Sequence, residues 1–375
     1  MSTPAEWIDT DQRLAELCEQ WQQQDVIALD TEFIRTRTFF PKLGLLQIAD
    51  AHGIYLVDPL AMEQFEPVRE VLQNTNVVKI IHSCSEDLEV FERFFSVLPQ
   101  PLFDTQIAAS FAGKGSSISY ANLIKAMRGD IIPKQETRSD WLQRPLSQSQ
   151  LEYAALDVEH LIETYHTLVD ELTQLQRLEW VKKECQQCIN KIVDSDNFNQ
   201  YYRKVKSAWK LKPAQLAVLR ALCEWREKEA REIDIPRNHL VKDSSLLEMA
   251  RILPKETLQF YKLRDMQPKF VDHHGEECLY IMETALGNVE NYPEALPAPL
   301  TASQNQLFRS LKEVVVSTAE CLSIPPEFLA RKKDLEALVH QYEETTITLP
   351  KGLQDWREEV IGNALLERLA LEVPQ

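Results

Sequence analysis

The stretch that most constrains the fold is a short apolar run that ends in two acids, residues 26–33 (VIALDTEF). The apolar residues predict a buried strand. Because side chains alternate along a strand, Asp30 and Glu32 are expected on the same face. Two acids at the end of a buried strand are costly without a positive partner, so the pair is a candidate ligand set for Mg²⁺ or Mn²⁺. A solvated acidic loop is the alternative for these residues alone.

The composition is that of an ordinary soluble globular protein. The 375 residues allow two or three domains, and 44% of them are hydrophobic and 26% charged. A net charge of −17 disfavours a nucleic-acid-binding protein, although local basic patches matter more than the sum. No apolar run approaches the roughly 20 residues of a membrane span. Seven irregularly spaced cysteines favour reduced thiols in the cytoplasm.

Alternating strand and helix patterns predict an α/β domain in the N-terminal half. The predicted strands cover residues 26–33, 45–49, 54–57, 77–81 and 102–105. The first three have the spacing of an antiparallel meander. Ser85 is a candidate cap for a helix to Phe95, and Ser147 is a candidate cap for one long helix over residues 148–172. Strand patterns almost vanish beyond residue 175, which predicts helical domains there.

Two further acids fall in the same domain. Asp87 lies just past a predicted strand, and Tyr153 and Asp157 lie one turn apart on one helix face. Together with Asp30 and Glu32, these acids cannot all stay ionised in one site without cations, which predicts two bound divalent metals. Two such ions activate a water and stabilise the leaving oxygen of a phosphodiester. A neutral phenol is a weak base, so Tyr153 is expected to orient that water.

This ordered set resembles the DEDD exonucleases of the tyrosine subtype: Asp-x-Glu at 30–32, Asp87, then Tyr-x-x-x-Asp at 153–157. The sister subtype carries His five residues before the last Asp, and position 152 is Glu. Closer motifs resemble the ribonuclease D family. They are LDTEF at 29–33, HSCSEDL at 82–88, FDTQ at 103–106 and SDWLQRPL at 139–146.

The resemblance continues beyond the catalytic domain. Residues 216–243 look like a helicase-and-RNase-D C-terminal (HRDC) domain, and the block that ends in WREEVIG at 356–362 looks like a second, diverged copy. The resemblance implies an α/β catalytic domain with an RNase H-like fold, in which a mixed sheet has flanking helices, followed by two all-α HRDC-type domains. The expected bounds are 1–195 for the exonuclease domain, 200–290 for the first HRDC domain and 298–375 for the second.

The resemblance also implies a function. It implies 3′→5′ hydrolysis of RNA to nucleoside 5′-monophosphates, with tRNA precursors and other structured small RNAs as substrates of a monomeric bacterial cytoplasmic enzyme. The implied metal ligands are Asp30, Glu32, Asp87 and Asp157, with Tyr153 as a further catalytic residue. A DNA-directed exonuclease and a catalytically silent RNA-binding adaptor are the alternatives. The full set of carboxylates disfavours the adaptor, because a silent protein has no reason to keep like charges together.

Some residues outside the acid set are candidates for RNA contacts. Basic and aromatic side chains of the 35–42 loop suit phosphate contact and base stacking at a 3′-terminal nucleotide, whereas aromatics that anchor the loop to the core are the alternative. His82 is either a substrate contact or structural. The 203–231 segment has nine Lys and Arg against three Glu, which favours an RNA-binding face. The candidate substrate-binding residues are Arg35, Arg37, Phe39, Phe40, His82, Lys134 and Arg138.

Asp104 competes with Asp87 for the place of the third acid. Asp104 precedes Thr105 at the predicted start of a helix. An aspartate in that place is more simply an N-cap, whose side chain accepts hydrogen bonds from the first backbone N–H groups of the helix. The sequence therefore favours Asp87 as the ligand and Asp104 as the cap.

Overall fold

The computed structural model of the protein describes residues 4–132, 139–342 and 347–372. The chain forms two compact units. The first comprises Met1–Ile34, Lys42–Ile192 and Leu300–Gln375, and the second comprises Arg35–Pro41 and Val193–Pro299. In the described ranges, no helix has the length and apolarity needed to cross a bilayer.

A six-stranded mixed sheet lies at the centre of the first unit. Its strands are β1 (Ala5–Ile8), β2 (Val26–Ile34), β3 (Lys42–Ala49), β4 (Ile54–Val57), β5 (Val78–Ile81) and β6 (Leu102–Asp104). Their order across the sheet is β1-β4-β3-β2-β5-β6. The predicted antiparallel meander of β2, β3 and β4 is confirmed, and the other pairs are parallel. The sequence analysis missed β1, since four residues at a sheet edge are too few to show an alternating pattern.

The other main elements of the described chain are α-helices, joined by loops and short 3₁₀ or π turns. The N-terminal helices are α1 (Asp11–Trp21), α2 (Glu66–Gln73), α3 (Ser85–Phe95), α4 (Thr105–Phe111), α5 (Tyr120–Arg128), α6 (Gln148–Glu159), α7 (Leu161–Gln174) and α8 (Leu178–Val193). The middle helices are α9 (Pro213–Glu232), α10 (Arg237–Leu240), α11 (Asp243–Ile252), α12 (Thr257–Phe260) and α13 (Pro268–Gly287). The C-terminal helices are α14 (Ala302–Leu322), α15 (Pro326–Leu329), α16 (Lys332–His340) and α17 (Asn363–Glu372).

Two predicted helix features are wrong in detail. The single long helix over 148–172 is two helices, because His160 leaves helical geometry between α6 and α7 and its backbone N–H donates to the Tyr120 hydroxyl at 3.2 Å. Ser147 does cap α6, through a capping box with Gln150. Ser85 is the first residue of α3 and not its cap. The local sequence predicts neither the break at His160 nor the start of α3. Both involve residues distant in the chain, Tyr120 at His160 and Asp104 at the turn before α3.

The C-terminal block shares a hydrophobic core with the α/β part of the first unit. The Trp356 ring stacks on Trp180 with centroids 4.7 Å apart. Beside it, Arg357 Nη2 lies 2.8 Å from Oε1 of Glu184, and both side chains are at most 5% exposed. Arg357 Nε donates to the Phe328 carbonyl oxygen at 2.7 Å. A paired, desolvated charge therefore lies at the contact between α8 and the C-terminal block.

The second unit is helical and has a core of its own. Its central helix, α9, buries apolar side chains against α11 and α13. Phe39, from the loop between β2 and β3, belongs to the same core and is 6% exposed. Backbone N–H groups of Phe39 and Phe40 both donate to Asp234 Oδ1 at 3.0 Å. The loop thus belongs to the helical unit, although it connects two strands of the sheet.

Replacing Arg357 with Met should destabilise the first unit by about 3–5 kcal/mol, because the change leaves the Glu184 carboxylate buried without its cation. Replacing Lys183 with Ala is the matched control. Lys183 pairs with Asp355, but both side chains are about half exposed (45% and 54%), so we expect a loss below about 1 kcal/mol. Urea unfolding of the two variants tests this. Equal losses would show that the buried pair is not the stronger interaction.

Candidate active site

The sheet and α6 bring three carboxylates together. Asp30 and Glu32 project from β2 and Asp157 from α6, and one ligand oxygen from each lies within 4.8 Å of the other two. All three residues are partly buried. The alternation along β2 explains why both of its acids reach one site, and the α6 helix supplies the third from the facing layer. The result is a compact acidic cluster that solvent still reaches.

Asp87 joins these acids from the start of α3. It is 7% exposed, it accepts a short hydrogen bond from the Thr31 hydroxyl, and its charge repels Asp30, Glu32 and Asp157. Asp87 therefore lies near enough to repel the other three acids, although it is outside the group whose oxygens all lie within 4.8 Å of one another. These four acids are called the acid cluster below. Thr31 lies between Asp30 and Glu32 in the chain, so a single strand segment supplies two acids and holds a third.

Asp104 fixes the turn that places Asp87. Its carboxylate accepts backbone N–H groups of Gln106 and Ile107 at the start of α4, at 2.8 and 3.2 Å. It also accepts those of Ser83 and Cys84 just before α3, at 3.1 and 2.8 Å. The predicted N-cap role is confirmed. With its oxygens used by four N–H groups, Asp104 acts as a structural support for the acid cluster.

Burial raises the pKa of every acid in the cluster, and repulsion by neighbouring acids adds to each shift. Burial is the main cause of the raised pKa of Glu32, about 9, and repulsion by Asp157 and Asp87 adds to it. Burial raises the pKa of Asp157 to about 7 and that of Asp87 to about 6, although hydrogen bonds from Tyr153 and Thr31 oppose the shifts. Burial, then repulsion from the other three acids, raises the pKa of Asp30 well above its usual range. Each shift expresses a cost of holding negative charge there.

Tyr153 lies one turn before Asp157 on α6, and its hydroxyl donates a hydrogen bond to that carboxylate. Burial, then the charges of the nearby acids, raises the pKa of Tyr153. The phenol is therefore neutral at physiological pH, and a neutral phenol is a poor general base. Because its proton is used in the bond to Asp157, its oxygen can accept a hydrogen bond from a third group.

The cluster fits divalent metal ions. Its donors are carboxylate oxygens, the ligands that Mg²⁺ and Mn²⁺ prefer. Among the described residues, no Lys, Arg or His stabilises the charged form of any of the four acids. Four neighbouring carboxylates whose pKa values are all raised, and that lack a basic partner in the described chain, require either protons or cations. The donor set alone therefore supports a metal centre.

Two residues near the acids were not predicted. Gln47 is fully buried, pairs with Asp30 across β2 and β3, and its Nε2 lies 3.4 Å from Asp30 Oδ2. Tyr120 is the first residue of α5. Burial, and to a smaller extent the charges of Asp157 and Asp30, raise the pKa of its hydroxyl, which accepts a hydrogen bond from the His160 backbone N–H. The register of the predicted meander could have identified Gln47. No local signal identifies Tyr120, because its helix was not predicted and its partner is 40 residues away.

The candidate substrate-binding residues have different environments. Phe39 is in the core of the second unit, so the prediction that its ring stacks on a nucleotide is wrong, and the alternative of an anchoring aromatic holds. Arg35 and Arg37 are exposed and Phe40 is partly buried in the same loop. His82 is partly buried, with Nδ1 2.9 Å from the Thr105 hydroxyl and Nε2 3.1 Å from the Ile118 carbonyl oxygen. Lys134 and Arg138 lie outside the described residues.

The mixed sheet, the flanking helices and the acid set define a 3′→5′ exonuclease domain, and family models agree. Residues 5–173 match a 3′-5′ exonuclease model, residues 215–282 an HRDC domain, and residues 304–365 the C-terminal HRDC domain of ribonuclease D. The three matches follow one another in the order that the sequence predicts.

Comparison with known proteins defines the family. Ribonuclease D of Pseudomonas paraeruginosa is 42% identical over 366 residues, covering 97% of each chain. Ribonuclease D of Escherichia coli is 35% identical over 376 residues, covering 98% of this chain and 99% of that one. The crystal structure of E. coli RNase D, described as an exoribonuclease involved in structured RNA processing, matches with a TM-score of 0.89 at 33% identity and covers 99% of this chain and 100% of that one. The chain therefore belongs to the ribonuclease D family of 3′→5′ exoribonucleases.

Without metal, the stability of the protein should fall as pH rises from about 5 to about 9. Unfolded carboxyls titrate near pH 4, whereas the folded pKa values of Asp87, Asp157 and Glu32 are about 6, 7 and 9. In this range the folded state binds more protons than the unfolded state, so the free energy of unfolding decreases with pH, by about 1.4 kcal/mol per pH unit for each acid that is protonated only in the folded state. Urea unfolding in EDTA at several pH values measures the decrease.

Two controls make this prediction specific to the acid cluster. Asp30→Asn removes an acid whose own pKa is raised well above its usual range in the folded state, so its decline should be shallower than that of the wild type. Glu152→Gln changes an exposed acid on the same helix as Asp157 and should reproduce the wild-type decline. Added Mg²⁺ should stabilise the wild type most at high pH, where the ions meet ionised ligands. A wild-type stability independent of pH would contradict the prediction.

Proposed function

We propose that Asp30, Glu32, Asp87 and Asp157 hold two divalent ions, Mg²⁺ or Mn²⁺, and that with Tyr153 they hydrolyse the 3′-terminal phosphodiester of RNA. The observation that carries this proposal is the crowding of four carboxylates whose charges no basic side chain of the described residues offsets. Natural proteins keep such costly arrangements where a ligand needs them.

When bound, divalent ions would lower the pKa of a water molecule and stabilise negative charge on the phosphate oxygens. In the reaction, water attacks the phosphorus of the last nucleotide, the bond to the 3′ oxygen of the preceding nucleotide breaks, and that oxygen takes up a proton. The products are a nucleoside 5′-monophosphate and an RNA shortened by one residue. The acids Asp30, Glu32, Asp87 and Asp157 act as fixed ligands and do not change their covalent state.

Tyr153 is proposed to orient the attacking water. Its hydroxyl hydrogen is engaged by Asp157, so its oxygen accepts a hydrogen bond from the water and fixes the direction of a lone pair. Its raised pKa supports orientation over proton abstraction, since a phenol that stays neutral is a poor base.

The proposed substrates are tRNA precursors and other structured small RNAs with a single-stranded 3′ tail. Support comes from the relative in E. coli, described as acting in structured RNA processing, and from two HRDC matches. The proposed setting is a monomer in the bacterial cytoplasm. The proposed domain bounds remain 1–195, 200–290 and 298–375.

A direct test compares RNA labelled at its 3′ end, the same RNA labelled at its 5′ end and a matched DNA, each with Mg²⁺, Mn²⁺ or EDTA. We expect immediate release of labelled mononucleotide from the 3′-labelled RNA, stepwise shortening of the 5′-labelled RNA, and no product in EDTA. Cleavage of the DNA at an equal or greater rate would favour the DNA-directed alternative. Binding of RNA without cleavage in either metal would favour the adaptor.

Asp157→Asn should reduce kcat by more than about 10²-fold, because it removes a proposed ligand worth several kcal/mol of transition-state stabilisation. RNA affinity measured in EDTA should stay near the wild-type value. Glu152→Gln makes the same chemical change on the exposed face of α6 and should keep full activity. Retained metal-dependent turnover by Asp157→Asn would contradict the assignment of this ligand.

Tyr153→Phe should lower kcat by about 10- to 100-fold while KM for RNA stays within about twofold, since the ring remains and only the orienting oxygen is lost. The pH profile separates orientation from proton abstraction. We expect the variant to keep the shape of the wild-type kcat profile between pH 6 and about 9. Loss of the basic limb in the variant would instead identify Tyr153 as the base.

A further inference from the structure

One arginine, Arg144, joins three segments of the first unit. Its Nε and Nη2 donate to the two carboxylate oxygens of Asp58 at 2.8 and 2.6 Å, and Nη2 also donates to the Gly44 carbonyl oxygen at 2.6 Å. Its Nη1 donates to the carbonyl oxygens of Trp141 and Gln143 at 2.9 and 2.8 Å. A guanidinium has five N–H groups in a rigid plane, and here each has an acceptor. The arginine therefore fixes the three segments relative to one another.

The ion pair at the centre of this junction is largely desolvated. Asp58 directly follows β4 and is 5% exposed, and the Arg144 side chain is 23% exposed. Asp58 also accepts the Leu60 backbone N–H at 3.0 Å. The guanidinium carbon lies 5.7 Å from the ring centroid of Trp7 on β1. Bidentate pairing of this kind combines charge with geometric specificity, so Arg144 serves the fold and its donors are not left for a substrate phosphate.

Gly44 belongs to a β-bulge beside a residue of the acid cluster. The register of β2 and β3 shifts directly after Glu32 and leaves Gly44 as the extra residue of β3. A Cβ atom on Gly44 would lie 2.5 Å from the Trp141 carbonyl oxygen and 2.8 Å from the Trp141 Cβ. Glycine is therefore what lets the Trp141 backbone approach the strand, and Arg144 binds the carbonyl oxygens on both sides of this contact.

Trp141 lies between this bulge and Tyr153. The Trp141 side chain is 3% exposed, and its ring centroid is 6.3 Å from that of Tyr153, with 38° between the ring planes. A second contact ties the same segment to α6, because Gln150 Nε2 donates to the Asp140 carbonyl oxygen at 3.3 Å. The phenol that is proposed to orient the attacking water therefore packs on an indole whose backbone Arg144 holds.

We propose that Arg144 is a positioning residue for the reaction, which holds Trp141 against β3 so that the indole fixes the Tyr153 ring. The inference rests on the proposed function, because it takes Tyr153 as the group that orients the water. Arg144 acts through Trp141 and not on the reacting atoms, since its own donors are all used elsewhere. Small displacements of an orienting group lower the rate, because the reacting atoms must be held in one geometry.

The test replaces Arg144 with Lys, in the wild type and in the Tyr153→Phe variant. Lysine keeps the charge beside Asp58 but lacks the planar fork. We expect kcat to fall about 3- to 10-fold in the wild type with KM within about twofold, and by less than about 1.5-fold where the phenol oxygen is already absent. Arg13→Lys is the matched control, because Arg13 also binds a carboxylate through Nε and Nη2, that of Glu6 at 2.7 and 3.1 Å. It should leave kcat unchanged in both backgrounds.

Trp141→Phe tests the same contact if Arg144→Lys does not fold, since it keeps Arg144 and its ion pair. Its kcat should fall about 2- to 5-fold in the wild type and again by less than about 1.5-fold in Tyr153→Phe. Hydrogen exchange in EDTA, followed by mass spectrometry, gives a readout independent of catalysis. Peptides that cover Trp141 and Tyr153 should exchange faster in Arg144→Lys than in the wild type, and Arg13→Lys should match the wild type there.

The outcomes separate this proposal from the proposed function. Equal fold losses of kcat in the wild-type and Tyr153→Phe backgrounds would overturn the positioning of Tyr153, because the loss would then arise at another group, such as Glu32 beside the bulge. An Arg144→Lys variant with unchanged kcat and unchanged exchange would overturn it as well. Absence of RNA hydrolysis by the wild type would overturn the proposed function, whereas the exchange comparison still decides whether Arg144 holds Trp141 and Tyr153.

Discussion

Repulsion among four carboxylates is the constraint on which the first unit depends. The fold holds Asp30 and Glu32 on one strand and brings Asp157 and Asp87 to them from two helices. Three of the acids accept hydrogen bonds from neutral donors. The Gln47 amide donates to Asp30, the Thr31 hydroxyl to Asp87, and the Tyr153 hydroxyl to Asp157. Neutral hydrogen bonds orient a carboxylate without cancelling its charge. The hydrogen bonds therefore hold the carboxylates in place but leave their negative charge uncompensated. A site for divalent cations requires both features.

The C-terminal block supports this site through a short series of contacts within the first unit. Trp356 and Phe328 both pack on Phe111 of α4, with centroids 5.5 and 4.9 Å from it. The cap of α4 is Asp104, which also holds the turn that begins α3 and so fixes Asp87. Packing of the last helices thus stabilises the helix whose cap, Asp104, holds the turn before Asp87.

Periodic patterns and local caps made much of the fold predictable from the sequence. The meander, the Asp104 and Ser147 caps, and the spacing of Tyr153 and Asp157 depend on neighbours within a few residues, and the family resemblance supplied the rest of the acid set. The missed features depend on distant partners. The break at His160 involves Tyr120, and the contact of Gln47 with Asp30 requires the strand register. Local sequence patterns cannot predict such contacts, because the two residues are far apart in the sequence and meet only when the chain has folded.

The loop between β2 and β3 shows why composition alone misassigned a residue. A segment with arginines and two adjacent phenylalanines has the composition of a nucleotide-binding loop. Burying a phenylalanine ring in a core, however, contributes roughly 1.5–3 kcal/mol even without a ligand. The Phe39 ring is buried in this way, and its backbone N–H donates a hydrogen bond to Asp234. Once the aromatic ring anchors the loop, Arg35 and Arg37 remain exposed. The buried ring and the hydrogen bonds to Asp234 therefore fix the backbone from which these arginine side chains extend.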